Sequence, residues 1–374
     1  MPARRMDGID MSGIRKLFEL AGKDAIHLGI GEPDFQPPSH VVDAYVAALR
    51  AGHNKYCPSA GIPELRAAIA QKVRPHLPSA TAEHVVVSTG STTLLYGIAQ
   101  AFLDPGDEAL VPDPGFVLYA PHARLAGATA VPYPLTAKQG FLPDPGDLEN
   151  RIGPRTRMLV LNSPSNPTGA AITRSRLEEV LAIAERHDLL VVSDEAYEDF
   201  VYDGPHETAL GRYDKLVYLN TFSKCYAMTG WRLGYAVAPP EIAVPLKRVN
   251  YHLIASPPTP AQHAALAALQ GPQDFVRGAV EEYRRRRDYM VGRLDALPRV
   301  ACVKPTGAFY AFPRVDVPID DEQFALELLK AGVVTSPGRA FGAGGRGHLR
   351  LSYATAMDKL RAGLDIVERV IRSL

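Results

Sequence analysis

Short β-branched and aliphatic runs alternate with amphipathic stretches from about residue 84 to residue 237. Val85-Val86-Val87 is followed by a helical pattern from Thr92 to Phe102, and Met158-Leu159-Val160-Leu161 by another from Arg174 to Arg186. Leu189-Leu190-Val191-Val192, Leu216-Val217-Tyr218-Leu219 and Tyr235-Ala236-Val237 continue the series. Near-continuous apolar runs joined by helical crossovers predict a largely parallel sheet buried on both faces. After about residue 275 the texture changes to a long charged helix, three strands around Phe309-Tyr310-Ala311-Phe312, Val333-Val334-Thr335 and Leu349-Arg350-Leu351-Ser352, and a closing helix. The expected fold class is α/β, with a large domain over residues 46–275 and a smaller α+β domain over 276–374; residues 1–45 form an N-terminal arm and part of the small domain.

Length agrees with that division, since 374 residues exceed what one simple core accommodates. Lysine plus arginine equals aspartate plus glutamate at 41 each, so no net field draws the chain to nucleic acid or an anionic membrane. A small-molecule partner is expected. Arg284-Arg285-Arg286-Arg287 is one local basic run, preceded by Glu281-Glu282, and reads as a solvated helix face. Cys57, Cys225 and Cys302 are odd in number and widely spaced, which fits reduced thiols better than a disulfide framework or a zinc site, and no metal is expected. The first seven residues lack the apolar core of a signal peptide and no run is long enough to span a membrane, so cytoplasm is the expected compartment.

In open parallel sheets, ligands bind beyond the carboxyl ends of the strands, and the polar motifs fall at those ends. Leu219-Asn220-Thr221-Phe222-Ser223-Lys224 ends in hydroxyls and an amine, with Arg232 eight residues on in Gly230-Trp231-Arg232-Leu233-Gly234. An amine beside hydroxyls and a guanidinium suits a Schiff base to an aldehyde cofactor that carries a phosphate, which implies pyridoxal 5′-phosphate. Ser88-Thr89-Gly90-Ser91-Thr92-Thr93 opens a helix where an anion is favoured, although Ser91 or Thr92 could equally be a plain helix cap. Asn162-Ser163-Pro164-Ser165-Asn166-Pro167 is a rigid proline turn that holds Asn166, whose amide could donate to a phenolate or be ordinary. Asp194, in Ser193-Asp194-Glu195-Ala196-Tyr197, is an acid just past a buried strand. Either it caps a following helix or it pairs with a cation such as a pyridinium, which would make that ring an electron sink; Tyr197 could then meet the ring's phenolic oxygen. Phe116 is a candidate for stacking on the ring or for the core. Arg350, inside a strand, needs a carboxylate, of substrate or of protein. Gly342-Ala343-Gly344-Gly345-Arg346-Gly347 has dinucleotide-loop spacing, but a strand follows it instead of a helix, which excludes that reading.

In this order the motifs resemble the class I aminotransferases among the fold-type I pyridoxal-phosphate enzymes, from Leu28-Gly29-Ile30-Gly31-Glu32-Pro33-Asp34-Phe35 to Ala354. Asn-Pro-Thr-Gly at 166–169, Asp-Glu-Ala-Tyr at 194–197, Ser223-Lys224 followed by Gly-Trp-Arg-Leu-Gly at 230–234, and Gly-His-Leu-Arg-Leu-Ser-Tyr-Ala at 347–354 carry the likeness. The resemblance implies a seven-stranded, mostly parallel sheet and a ping-pong transfer of an amino group between an L-amino acid and a 2-oxo acid such as 2-oxoglutarate. It implies that Lys224 holds the cofactor and moves the proton, and that Asp194 pairs with the ring nitrogen. Tyr197 and Asn166 would hold the phenolic oxygen and Phe116 cover the ring. Ser91, Thr92, Thr221, Ser223 and Arg232 would bind phosphate, with Tyr56 of a neighbouring subunit in a homodimer that shares its active sites. Gly31, Asn166 and Arg350 would hold the substrate α-carboxylate. Phe116 and Thr221 stand where many relatives have tyrosine and serine, each keeping the needed chemistry.

In the aspartate/prephenate branch a lysine meets the distal carboxylate, and the aligned residue here is Thr92. That favours aromatic or apolar donors, because burying a carboxylate without a cation costs more than the ~1.5–3 kcal/mol gained by burying an aromatic side chain. Arg15, Lys16 or Arg339 could supply a cation, which keeps aspartate open. The segment 12–18 also resembles the archaeal-type aromatic aminotransferases. A C–S lyase or decarboxylase on the same scaffold is the alternative. A ligand-sensing module is disfavoured because no helix-turn-helix segment precedes the fold.

Overall fold

The computed structural model describes residues 3–7, 9, 18–22 and 24–374, so Arg15 and Lys16 lie outside the described residues. Seven strands form the central sheet, in the order Val85–Ser88, Gly234–Val237, Leu216–Thr221, Leu190–Asp194, Thr156–Asn162, Glu108–Asp113 and Thr129–Pro134. Gly234–Val237 runs antiparallel to both its neighbours, and the remaining pairings are parallel. Successive residues along each strand enter opposite cores. Val85, Leu159, Val191 and Tyr218 pack into one cluster, whereas Val86, Val160, Val192 and Val217 pack into another. Double-sided burial of this kind produces the unbroken apolar runs seen in the sequence.

The Glu108–Asp113 strand keeps that alternation over Ala109, Leu110 and Val111 but its run is short and ends at Pro112, whereas Thr129–Pro134 is only partly buried and is interrupted by Pro132 and Pro134. Thr129–Pro134 lies at the sheet edge, where missing N–H donors are tolerated.

A third core cluster joins Leu28, Phe200, Tyr283, Phe309, Tyr310, Leu351 and Leu364. Around it lie a three-stranded antiparallel sheet (Tyr310–Ala311, Leu349–Ser352, Ser336–Pro337) and a parallel pairing of Ile26–His27 with Val333–Val334. The long charged helix is Asp274–Asp295 and the closing helix Met357–Ser373.

The basic run on the long helix corrects the sequence expectation. Arg286 and Arg287 are 4% and 1% exposed, so only part of the run faces solvent. Arg286 binds Asp34 at 2.8 Å and Glu282 at 2.7 Å. Arg287 binds Asp203 at 2.6 Å and lies over the Tyr202 ring. Asp34 and Asp203 are far away in sequence, which hides the pairing that makes burial of a guanidinium tolerable. Among the described residues no helix is long and apolar enough to cross a membrane.

Candidate active site

Strand register brings the motifs together. Asn162 is paired with Asp194, Asp194 with Leu219, and Thr221 and Ser88 flank Gly234 from either side. The carboxyl ends of four parallel strands therefore face one cavity of ≈ 290 Å³.

At one corner the Ser91–Phe102 helix begins with Gly90 as its cap residue and no side-chain cap bond, so neither Ser91 nor Thr92 serves as the cap. The first-turn N–H groups and these hydroxyls are left for an anion. Gly90 has φ +89° and ψ 162°, a region essentially reserved for glycine. A Cβ there would lie 2.8 Å from Arg232 Nη2, so the bare backbone admits the guanidinium. Arg232, itself left-handed at φ 55°, donates to Thr229 O at 3.0 Å. Thr221 directs its hydroxyl at Leu233 O (3.0 Å) and Ser223 Oγ (2.9 Å), which keeps both hydroxyls at this corner.

Across the cavity, Asp194 is 5% exposed. Tyr119 donates to its Oδ2 at 2.7 Å, the Ala196 N–H reaches Oδ1 at 3.3 Å, and Asn162 Nδ2 donates to its backbone carbonyl at 2.9 Å. Burial pushes the Asp194 pKa up to about 6 against the opposing Tyr119 bond, so the acid is poised to accept a cationic partner. Glu195 serves a different purpose, bonded to Ser193 Oγ at 2.7 Å and His206 at 2.6 Å.

Lys224 Nζ donates to Gly31 O at 2.7 Å and lies 6.0 Å from the centre of the Tyr197 ring. Burial lowers its pKa to about 8; Arg350 and Arg232 push the same way, while Glu32 and Asp194 oppose. A neutral amine is thus available at mild pH. The Tyr197 and Tyr310 hydroxyls meet at 2.7 Å, and burial raises both pKa values, so each phenol keeps its proton.

Arg350 is sandwiched between the rings of Tyr310 (4.6 Å) and Phe341 (4.8 Å). It donates to Asn166 Oδ1 at 2.9 Å and Gly29 O at 2.5 Å, while the buried Nε has no partner. Among the described residues no carboxylate forms a salt bridge with it, which turns the open choice toward a carboxylate from outside. With Asn166 Oδ1 taken, its Nδ2 remains to donate elsewhere.

Gly31, Ser91, Thr92, Phe116, Asn166, Asp194, Tyr197, Thr221, Ser223, Lys224, Arg232 and Arg350 all line this cavity. Tyr56 does not, standing 90% exposed. Arg339 is occupied by Asp320, Asp321 and Glu322 at 2.9–3.2 Å. Sequence reasoning missed Tyr119, Asn162, Tyr310 and Phe341. Asn162 alone carried a signal, as the polar end of the Met158 run; the others arrive from separate elements.

An amine of lowered basicity, a buried acid, and an anion corner built from a helix start, four hydroxyls and a guanidinium match the amine-reactive, ring and phosphate groups of pyridoxal 5′-phosphate. Fold and site together define a fold-type I pyridoxal-phosphate enzyme.

The family described as aminotransferase class I and II matches residues 23–366. Aromatic-amino-acid aminotransferase 2 of Thermococcus litoralis is 40% identical, covering 98% of this chain and 97% of the relative. Aspartate/prephenate aminotransferase of Thermus thermophilus is 43% identical, covering 95% and 94%. A solved structure of Thermus thermophilus aspartate aminotransferase, tetra mutant 2 complexed with tryptophan, superposes with a TM-score of 0.95 at 40% identity, covering 99% of each chain. The chain belongs to the class I and II aminotransferase family. Its chemistry is pyridoxal-phosphate-dependent transamination between amino acids and 2-oxo acids, and the C–S lyase or decarboxylase alternative is not favoured.

Proposed function

We propose that the enzyme transfers the amino group of an aromatic or apolar L-amino acid to a 2-oxo acid such as 2-oxoglutarate. One observation carries this reading: among the described residues, the cations lining the cavity are Lys224, Arg232 and Arg350, while Thr92, which the family resemblance aligns with the distal lysine, brings no charge. Each of those three cations has other work. Pyridoxal phosphate, when bound, supplies an aldehyde for amines and a protonated ring that draws electron density from the substrate Cα.

Lys224 would anchor that aldehyde and, as a free amine, would take and return the substrate α-proton at Nζ, which its lowered basicity favours. Asp194 would pair with the ring nitrogen and keep the proton on it. Tyr197 and Asn166 Nδ2 would donate to the phenolic oxygen, and Phe116 would cover the ring. Ser91, Thr92, Thr221, Ser223 and Arg232 would bind the phosphate. Arg350, with Asn166 and the Gly31 backbone, takes the α-carboxylate. Its flanking rings fix the guanidinium plane, so little orientation has to be lost on binding.

The assembly we propose is a cytoplasmic homodimer in which Tyr56 of each copy reaches the other's phosphate corner. Support comes from Val42, Val46 and Leu49, an apolar stripe 36–42% exposed on the Ser39–Arg50 helix, together with the bare Tyr56. Residues 46–275 would form the large domain, with 1–45 and 276–374 contributing the arm and the small domain; the third core cluster draws most of its residues from that second part, joined by Tyr197, Phe200 and Tyr202 of the large domain.

Substrate class is tested by mixing the cofactor-loaded enzyme with single amino acids and no acceptor, then following loss of the cofactor's visible absorbance. Phenylalanine and tyrosine should convert at least ten-fold more efficiently than aspartate, because a buried distal carboxylate finds no cation. Faster conversion of aspartate would overturn the assignment.

A further inference from the structure

The phenol that binds Asp194 comes from none of the sequence motifs. Tyr119 opens the Tyr119–Leu125 helix, is 4% exposed and donates to Asp194 Oδ2 at 2.7 Å. Among the described residues, the other oxygen, Oδ1, holds only the Ala196 N–H at 3.3 Å. The carboxylate is therefore asymmetric, with one oxygen firmly held and the other retaining accepting capacity toward the cavity that both residues line. The Tyr119 ring also meets Phe116 edge-on, with centroids 5.6 Å apart at 75°. One side chain thus braces both the acid and an aromatic wall of the cavity.

We propose that Tyr119 is a positioning residue, holding Asp194 through Oδ2 so that Oδ1 is presented to the cofactor's ring nitrogen and the shared proton stays on that nitrogen. This rests on the reading of Asp194 as the partner of the ring nitrogen. A buried carboxylate without a donor draws a proton back to itself, and a hydrogen bond to the anion opposes that. Burial, together with the Asp194 charge, holds the Tyr119 pKa well above the ordinary phenol value, so it remains a donor throughout the working range. Glu195 and Lys224 act electrostatically on Asp194, and Tyr133 and Tyr197 on Tyr119. Among the described residues, Tyr119 is the one donor to Oδ2.

The test loads wild type, Tyr119→Phe and Asp194→Ala with pyridoxal phosphate labelled with ¹⁵N in the ring, and reads the ring-nitrogen shift by NMR near neutral pH. Wild type should report a protonated nitrogen and Asp194→Ala a neutral one. Tyr119→Phe should fall between them, and its cofactor should dissociate roughly ten-fold more readily, as expected for loss of a hydrogen bond to a charged group. p-Aminophenylalanine at position 119 keeps the ring volume with a weaker donor, and should give a smaller displacement than Tyr119→Phe even if that variant folds poorly. A tyrosine that merely fills space would leave the shift unmoved. Both position-119 variants at the wild-type shift, with Asp194→Ala displaced, would overturn the inference. An unmoved Asp194→Ala would instead overturn the assignment of Asp194.

Discussion

Replacing Asp194 by asparagine isolates what it costs this fold to hold an anion at the end of a buried strand. In the cofactor-free protein, burial raises the Asp194 pKa from 3.8 to about 6, against the lowering effect of the Tyr119 and Ala196 bonds. The folded-state value is the higher one, so this group's contribution to stability is fully present below 3.8 and is lost as pH rises through about 6. Two pKa units correspond to about 3 kcal/mol, which is the penalty at neutral pH that an uncharged asparagine escapes. Urea unfolding of both cofactor-free proteins at about pH 4, 6 and 8 should show the variant gaining on wild type as pH rises, by up to about 3 kcal/mol. Binding pyridoxal phosphate should reverse the order, because only the carboxylate meets a cationic ring. A stability difference that does not grow with pH, or that grows in the opposite direction, would refute the reasoning. The acid would then be solvated, or already paired within the protein.

Gly90→Ala should weaken cofactor binding on the order of 100-fold by equilibrium dialysis, since it adds about 1–3 kcal/mol of backbone strain and displaces a charge-assisted contact of similar size. Unchanged affinity would remove Arg232 from the phosphate corner. Capture of pyridoxal phosphate by the cofactor-free enzyme should accelerate with pH around a midpoint of about 8, following deprotonation of Lys224, whereas a midpoint at the ordinary 10.5 would place the amine in water. Lys224→Ala should yield no pyridoxyl adduct by intact mass after borohydride treatment. Arg350→Lys keeps the charge but loses the fork between Asn166 and Gly29, and should raise KM for the amino acid by about 100-fold with a smaller change in kcat.

Much of this architecture can be read from the chain because double-sided burial writes itself as apolar runs. The Leu190–Asp194 and Leu216–Thr221 strands coincide with such runs, and the residues that end them line the cavity. Proline-bearing strands at 108–113 and 129–134 do not register, since the first offers only three contiguous apolar residues before Pro112 and the second is half-exposed and broken by prolines. Lys224, Asp194 and Arg350 are legible because charge at a strand end or inside a strand demands a partner. Tyr119 and Tyr310 look like ordinary core aromatics, and only tertiary packing aims their hydroxyls at Asp194 and Tyr197. Arg286 and Arg287 fail for the converse reason, since the carboxylates that pair with them lie on remote segments.

The hydroxyl of Tyr310 occupies the space that a side chain at position 31 would need, while it also pairs with the Tyr197 phenol. The two positions are therefore sterically coupled. A lineage that enlarges residue 31 must first shorten residue 310, and that step strips Tyr197 of its companion. A larger side chain at 31 and a full tyrosine at 310 are thus mutually exclusive in this packing.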